Sequence, residues 1–331
     1  MSDRSIAVRL DGFLSNRFAL KAGVPQGSVL APILFLIFIN DLLNVTSSPI
    51  HSYADDSTLH LPIKHSTRSS PSNISNARSL GVTQINNDLN LILQWGEANL
   101  VNFNSSKTHC MYISRKNDTD LIPMPTMDNS PVVVEQSLHM LGVTITNSLN
   151  WNTHIKTIVR SASRRLDILY RAKRLFSSTQ RLTLYKAQVR PLLEYCSHVW
   201  GGAALSTLAL LDRVQTKAIR FVGDLNLINK LQSLHHRRCV ASLSLFYRYY
   251  FGKCSAEIAS SVPLPLTFVR VTRFATFSNS FQVTQPRLRT DAHGSSFFPR
   301  TAALWNKLPA STFPHTYNLQ TFKKNVHQLS F

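Results

Sequence analysis

Two aspartates stand side by side in the stretch HSYADDSTLH, residues 51–60. The flanking residues alternate like two short strands, which places Asp55 and Asp56 at the bend between them. Adjacent carboxylates repel each other, and a hard divalent cation such as Mg²⁺ (or Mn²⁺), which prefers oxygen ligands, would neutralise them. In polynucleotide synthesis two such ions, about 3.5–4 Å apart, assist the attacking hydroxyl and the leaving pyrophosphate. The dipeptide alone leaves open the alternative of a solvated turn.

The composition limits the class of protein that carries these residues. The chain has 331 residues, of which 44% are hydrophobic, and this suits a globular protein with a substantial core. Its four cysteines form no CxxC pair, which favours a reducing compartment. The first residues do not resemble a signal peptide, and the apolar run at 29–39 is too short to span a bilayer. We therefore expect an intracellular protein of the nucleus or cytoplasm with no membrane partner.

The positive charge lies almost entirely in the second half of the chain. Residues 1–150 contain 10 Lys and Arg against 11 Asp and Glu, whereas residues 151–331 contain 26 against 6. A basic region of this size attracts polyanions, and counterion release makes nucleic-acid binding its natural use. An anionic membrane surface or simple solubility is the alternative.

The first half of the chain is predicted to interleave strands and helices, which is an α+β pattern. A turn-rich stretch at 23–32 leads into a helix at 33–44, with Pro32 in its first turn. A hairpin at 48–63 carries the aspartates, and an exposed loop is predicted at 64–76. An amphipathic helix is predicted from Val82 to about Asn99. The segment 102–114 is predicted to turn into a strand with Cys110, Tyr112 and Ser114 on one side, and a pair of strands is predicted at 131–146.

The second half is predicted to be mostly helical. Helices are indicated at 154–176, 179–200 and 206–223, and a last short helix near 318–329. The helix at 154–176 places apolar residues on one face and basic residues elsewhere, and the next-but-one helix carries Arg213, Lys217 and Arg220 at i, i+4 and i+7. The basic residues expected to contact phosphates are Arg160, Arg164, Arg171, Arg174, Arg213, Lys217 and Arg220.

The order of motifs resembles the reverse transcriptases of non-LTR retrotransposons, the LINE-type and especially the jockey-like elements. AGVPQGSVLAPILFLIFINDL followed closely by YADD carries the resemblance, and LVNFNSSKTHCMYIS, LHMLGVTITNSLNWNTHI, LYKAQVRPLLEYCSHVW and RTAALWNKLP continue it in order. This resemblance implies an α+β fold with a partial palm at 1–150, a basic helical thumb-like domain at 151–250 and a C-terminal region at 251–331. It also implies an RNA template, a DNA primer, deoxynucleoside triphosphates and Mg²⁺ as partners of the complete enzyme.

Roles are carried over by motif position. Asp55 matches a metal ligand and Asp56 a supporting carboxylate, and Lys107 matches the lysine thought to assist the leaving pyrophosphate. The turn expected to grip the primer contains Gly142, although a β-bulge is the alternative there. Without the family, the loop at 23–28 would be an ordinary helix-initiating turn with Ser28 as cap, and Lys107 would be a surface residue. The remaining residues expected to lie against substrate are Gly23, Pro25, Gln26, Gly27, Ser28, Tyr53 and Ala54.

One expected element of such an enzyme is not recognisable. A further aspartate from an upstream palm strand, in an F-x-x-D setting, is needed to complete a two-metal site, and Asp3 and Asp11 lie in a polar setting instead. We therefore expect the isolated chain to be inactive in primer extension. The second hypothesis is a nucleic-acid-binding module or remnant without chemistry. A zinc site built from HHRRC at 235–239 with Cys254 fits no standard ligand spacing.

Overall fold

The computed structural model describes residues 4–20, 23–25, 27–64, 70–114, 122–229, 231–266 and 281–331. The chain divides into two compact units, Met1–Gln136 and Ser137–Phe331. Within the described part, no helix is both long and apolar enough to cross a bilayer. The mixture of helices and short strands confirms the predicted α+β class.

The described residues of the first unit form short paired strands and two helices. The helices are α1 (Ala31–Ile39) and α2 (Pro71–Ala98), and 3₁₀ turns cover Asn40–Asn44 and Ser105–Lys107. The strands are β1 (Arg4–Ile6), β2 (Arg9–Leu10), β3 (Phe13–Leu14), β4 (Phe18–Leu20), β5 (Ile50–Tyr53), β6 (Asp56–Leu59), β7 (His109–Cys110), β8 (Thr126–Met127), β9 (Ser130–Pro131) and β10 (Val133–Val134). The pairs β1–β4, β2–β3, β5–β6 and β8–β9 are antiparallel, and β7–β10 is parallel.

The described residues require two corrections to the predicted elements of this unit. The predicted loop at 64–76 is wrong over its last residues, because α2 begins at Pro71. Ser70 accepts a hydrogen bond from the Asn73 N–H and Pro71 occupies the first turn, so local capping starts the helix before the apolar periodicity does. The strand predicted to run from Cys110 through Tyr112 to Ser114 is too long, because β7 covers His109–Cys110, which pairs with β10, and residues 111–114 are not in a strand.

Helices dominate the second unit, which begins with the hairpin of β11 (Ser137–Met140) and β12 (Val143–Thr146). The helices are α3 (Asn152–Arg171), α4 (Ser178–Leu184), α5 (Arg190–Glu194), α6 (Ser197–Trp200), α7 (Leu205–Val222), α8 (Leu225–Ile228), α9 (Leu234–Tyr250), α10 (Ala256–Ser261), α11 (Asp291–Ser295), α12 (Phe297–Trp305) and α13 (Leu319–His327). A π-helical turn at Tyr185–Val189 joins α4 to α5.

The single helix predicted at 179–200 is wrong, because the chain breaks it in two places. Pro191 has no N–H to donate to the fourth residue before it, and the π-helical turn lies directly upstream. Cys196 then adopts a left-handed conformation with φ of 51°, which ends α5 and separates it from α6. The final helix predicted near 318–329 is confirmed as α13.

Two apolar cores hold the second unit together. The first is built mainly from α3, α4, α5 and α7 and includes Tyr185, Trp200 and Phe221, all fully buried. The second joins α9, α12 and α13 around Trp305, whose indole Nε1 donates to the Phe281 carbonyl at 2.7 Å. The Trp305 ring also packs 4.9 Å from that of Phe246, centroid to centroid.

The substitution Trp305→Ala is expected to lower the free energy of unfolding of the second unit by about 3–5 kcal/mol, because it opens a cavity between three helices. Trp305→Phe keeps a ring in place and is expected to cost less. Denaturant titration of both variants measures the difference. Equal unfolding midpoints for the alanine variant and the unaltered chain would contradict the central position of Trp305.

Candidate functional site

The two aspartates lie at the tip of a tight hairpin. Strands β5 and β6 pair in register from Ile50 with Leu59 to Tyr53 with Asp56, so Ala54 and Asp55 form a two-residue turn. Ala54 has φ of 53°, a left-handed conformation that costs a residue with a Cβ about 1–2 kcal/mol. A positive φ at the first position of a two-residue loop matches the twist of the flanking strands. The predicted bend at Asp55 and Asp56 is therefore present.

Both carboxylates are open to solvent. Asp55 and Asp56 are exposed, and Tyr53 beside them is 67% exposed. Below the turn the Ser52 and Ser57 hydroxyls lie 2.7 Å apart, and the rings of His51 and His60 stack across the strands at 5.0 Å. Two adjacent oxygen donors suit a hard cation that also takes water and phosphate ligands. Among the described residues, no group of three or more His, Cys, Asp or Glu converges as a metal site.

The base of the hairpin is fixed by an apolar cluster. Ile50 and Leu59, paired at the open end of the hairpin, pack against buried Ile39, Leu42 and Ile92. These three residues come from α1, the 3₁₀ turn after it, and α2. The hairpin is therefore anchored at its open end, and its carboxylates project at the other end.

A buried carboxylate holds the segment that enters the hairpin. Asp88 on α2 is 1% exposed and accepts hydrogen bonds from the backbone N–H groups of Ser47 at 2.8 Å and Ser48 at 3.1 Å. The Ser47 hydroxyl adds a third at 2.9 Å. Burial raises the pKa of Asp88, but the hydrogen bonds from both serines together outweigh it and hold the pKa below its usual value. Asp88 is not among the residues predicted from the sequence, although one Asp between Ile85 and Leu89 on an apolar helix face is a signal for it.

The loop before α1 is described except at Gln26, which lies outside the described residues. Gly23 and Gly27 both have φ of 83°, a conformation that favours glycine. A Cβ at either position would meet no atom within 4 Å, so backbone conformation rather than packing requires glycine here. The Ser28 Oγ accepts a hydrogen bond from the Ala31 N–H at 3.1 Å, which is the contact expected of a turn that begins a helix. Pro25 is exposed.

The predicted residues Lys107 and Gly142 lie in different units. Lys107 ends the 3₁₀ turn Ser105–Lys107 and is exposed. Gly142, with φ of 80°, forms a two-residue turn with Leu141, whose φ is 48°. Met140 pairs directly with Val143 across this turn, so the bulge alternative for Gly142 is wrong.

An aromatic side chain supports the Gly142 turn from within the second unit. The Tyr195 hydroxyl donates to the Leu141 carbonyl at 2.9 Å, and a Cβ on Gly142 would lie 3.1 Å from the Tyr195 ring. Two residues beyond the turn, on β12, the Thr144 N–H donates to His154 Nδ1 at 3.2 Å. Burial, and then the neighbouring His139, lowers the pKa of His154, which favours the neutral ring that accepts this hydrogen bond. Glycine at 142 is thus required both by conformation and by close approach.

The predicted basic residues lie on the outward faces of two adjacent helices. Near the starts of the two helices, the Thr207 hydroxyl of α7 donates a hydrogen bond to Asn152 of α3. Near their C-terminal ends, the rings of Tyr170 on α3 and Phe221 on α7 lie 5.8 Å apart. The two helices therefore run parallel. At about 100° per residue, the predicted basic side chains of each helix fall within about 60° of one another on the side opposite its core, whereas Arg165 of α3 lies outside this arc. The residues concerned are all exposed: Arg160, Arg164, Arg171, Arg213, Lys217 and Arg220, with Arg174 following in a 3₁₀ turn.

Comparison with known proteins extends this description. Residues 4–145 match the family model described as reverse transcriptase (RNA-dependent DNA polymerase). This segment is thus similar to reverse transcriptases. The matched residues include the loop at 23–28, the aspartate hairpin, Lys107 and the Gly142 turn.

Curated relatives extend the reverse transcriptase relationship beyond that segment. The chain is 27% identical over 228 residues to the RNA-directed DNA polymerase from mobile element jockey of Drosophila melanogaster, covering 67% of the chain. It is 29% identical over 231 residues to the jockey polymerase of Drosophila funebris, and 24% identical over 245 residues to the probable polymerase from transposon X-element. These matches cover 66% and 71% of the chain. They confirm the predicted relationship to jockey-like elements, and the chain spans about a quarter of the length of these relatives.

The substitution Asp88→Asn is expected to lower the free energy of unfolding of the first unit by about 1–3 kcal/mol at neutral pH, because it removes an acceptor for buried N–H groups. Folding lowers the pKa of Asp88 from 3.8, the value of a free aspartate. The contribution of its carboxylate to the free energy of unfolding is therefore complete above pH 3.8, and it is lost as the pH falls through the lower pKa of the folded state. Denaturant titrations at pH 7 and near pH 3 measure the difference.

The matched control for this experiment is Asp41→Asn, which removes an exposed carboxylate of the same unit. Its unfolding midpoint is expected to stay close to that of the unaltered chain at both pH values. If the two variants behaved alike, Asp88 would not hold the segment before the hairpin.

Proposed function

We propose that this chain supplies the later part of the palm and the thumb of an RNA-directed DNA polymerase, which extends a DNA primer on an RNA template by two-metal nucleotidyl transfer. The observation that carries the proposal is the exposed Asp55-Asp56 pair at the tip of a tight hairpin in a reverse transcriptase segment. The names of the relatives, RNA-directed DNA polymerases of mobile elements, support the same reaction.

The proposed roles follow from position and chemistry. Asp55 and Asp56 would hold Mg²⁺ through their oxygens, and the bound ion would supply charge stabilisation for the 3′-hydroxyl and the pyrophosphate. Lys107, a solvent-exposed cation, is proposed to assist the departing pyrophosphate. The loop that contains Pro25 and Gly27 would lie against the incoming nucleotide, together with Tyr53 and Ala54.

The domain assignment is part of the proposal. The palm would cover residues 1–150, the thumb-like helices 151–250 and the C-terminal region 251–331. The Gly142 hairpin, proposed to grip the primer, packs with the helices of the second unit through Tyr195 and His154. Its position relative to the primer would therefore follow the thumb helices.

A second candidate function is a nucleic-acid-binding module without chemistry. It is favoured by one observation: within the described part of the chain, only two carboxylates meet at the hairpin, and no third joins them as a metal site. A two-metal site needs carboxylates that bridge both ions. The two candidates make opposite predictions for the role of Asp55.

The substitutions Asp55→Ala and Asp56→Ala are each expected to weaken Mn²⁺ binding at least about tenfold, because each removes a charged ligand. Asp128→Ala is the matched control, since Asp128 is an exposed aspartate in the turn of another hairpin, β8–β9. Electron paramagnetic resonance of free Mn²⁺, with Mg²⁺ as competitor, measures the affinity.

Equal losses in the Asp55, Asp56 and Asp128 variants would rule out the hairpin as the metal site. Primer extension with the same proteins separates the two functions. No extension is expected from the 331-residue chain by itself, and Mg²⁺-dependent extension that Asp55→Ala abolishes would show that expectation wrong while supporting the polymerase.

Replacing Arg213, Lys217 and Arg220 by Glu is expected to weaken the binding of an RNA–DNA duplex. The slope of log affinity against log salt concentration is expected to become shallower by about two to three units, because about one counterion fewer is released for each phosphate contact that is lost. Fluorescence anisotropy across a salt series measures both. The control reverses Arg287, Arg289 and Lys307, three exposed basic residues of the C-terminal region. If both triple variants changed the slope equally, binding would depend on net charge alone rather than on α7.

A further inference from the structure

A cleft of about 500 Å³ lies within the second unit, away from the outward faces of α3 and α7. It runs between α9 and α13 and reaches the end of α5 and the start of α6. Its apolar lining comes from Val240, Ala241 and Leu245 on α9 and from Leu319 on α13. This volume lies within the range of small-molecule sites in proteins.

The charged lining of the cleft is mostly positive. Arg237 and Arg248 come from α9 and Lys323 from α13, and Glu194 is the one acidic residue of the lining. Three cations against one carboxylate leave an excess of two positive charges. Arg248 and Lys323 are both exposed, so their charged groups are available to a ligand that enters from solvent.

The single carboxylate is already engaged. Arg237 binds Glu194 through both Nε and Nη2, the second at 2.9 Å, and Arg190 Nε lies 3.9 Å from the same carboxylate. Donation to the Glu194 carboxylate raises the pKa of Arg237. This bidentate pair fixes the guanidinium on the wall of the cleft. Glu194 is thus committed to Arg237 and Arg190, and the charges of Arg248 and Lys323 remain for a ligand.

Two histidines add neutral hydrogen-bonding groups. His198 and His327 are partly buried in the lining. Burial lowers the pKa of both, helped by Arg300 at His198 and by His236, Lys323 and Arg237 at His327. Near neutral pH each ring therefore offers one N–H donor and one acceptor. Ser197 and Gln320 provide further polar groups in the lining.

The lining also limits what kind of ligand fits. The described residues that line it include no Phe, Tyr or Trp, so they offer no platform on which a nucleobase could stack. A metal cation is disfavoured, since the one carboxylate is paired with arginines. An anion with several oxygen acceptors matches Arg and Lys groups on both sides of the cleft, and phosphate groups are the common biological anions of this kind.

We propose that the cleft between α9 and α13 is a phosphate-binding site, held by Arg237, Arg248 and Lys323, that is separate from the basic faces of α3 and α7. The phosphate belongs either to a polynucleotide backbone or to a free nucleotide. Arg237 is positioned by Glu194, whereas Arg248 and Lys323 approach from opposite helices. The site does not depend on Asp55 or Asp56, so its failure would leave the proposed polymerase reaction untouched.

The test compares two double variants of the full chain. Arg248→Glu with Lys323→Glu removes both solvent-facing cations of the cleft. Arg287→Glu with Lys324→Glu is the matched control, because it makes the same charge change at exposed positions, one of them adjacent to Lys323 on α13 but outside the lining. Both pairs of side chains are exposed, and thermal unfolding of each variant confirms that it is folded.

Two probes distinguish the sources of phosphate. A fluorescein-labelled single-stranded oligothymidylate reports backbone binding by anisotropy, and tripolyphosphate reports free phosphate through the rise in the unfolding temperature. We expect the cleft variant to lose at least about tenfold in affinity for one of these probes and the control variant to change by less than about threefold. Loss with the oligonucleotide alone assigns the site to a backbone, and loss with tripolyphosphate assigns it to a free nucleotide.

Amide hydrogen exchange on the unaltered chain provides an independent measurement. The probe that binds is expected to slow exchange in α9 and α13 around Ala241–Arg248 and Leu319–His327. Equal losses in the two double variants, or unchanged affinity of the cleft variant for both probes, would overturn the proposal. Protection confined to α3 and α7 would also overturn it.

Discussion

The hydrogen bonds of one buried carboxylate govern the geometry of the aspartate hairpin. A charge buried as deeply as that of Asp88 is stable only if its oxygens are satisfied, and here backbone N–H groups of Ser47 and Ser48 satisfy them. The segment before β5 must therefore lie against α2. That constraint brings Ile50 and Leu59 onto the apolar cluster of α1 and α2, and it leaves the turn at Asp55 to project into solvent.

Strain and charge are both concentrated at the hairpin tip. Ala54 holds a left-handed conformation at a position where glycine would be easier, and two like charges follow it directly. Such costs persist only where the surrounding structure compensates for them, and they are frequent at functional sites. The anchored base of the hairpin provides that compensation, because its apolar and hydrogen-bonded contacts lie at the opposite end from the carboxylates.

In the second unit, the same packing that builds the core distributes the charge. Apolar side chains of α3 and α7 take the inward faces, so their basic residues share the outward ones. Around α9 and α13 the distribution differs, because Arg237 is drawn inward by Glu194 while Arg248 stays at the surface. One strongly basic unit thus presents positive charge in two forms, an open helical face and a cleft.

Local patterns in the amino-acid sequence determined the α+β class, the aspartate bend, the amphipathic helices of the second unit and the final helix. These features depend on neighbouring residues: alternation at 50–59, periodicity along α3 and α7, and a Pro in the first turn of α1. The predicted start of α2 was wrong because the cap at Ser70 and Pro71 begins the helix before its apolar periodicity starts. The single helix predicted at 179–200 was wrong because Pro191 lacks an N–H, although the apolar periodicity continues through it. Roles at the site residues stay predictions, since no partner molecule tests them.

Only the tertiary structure decided which distant residues meet. Asp88 binds Ser47 across 41 positions, Tyr195 supports Leu141 across 54, and Arg237 pairs with Glu194 across 43. No sequence periodicity encodes these pairs, because each pair depends on how whole helices and strands pack against one another. Several different packing arrangements could bury the same apolar faces. The sequence therefore determined the chemistry available to the chain, and packing determined which groups stand close enough to use it.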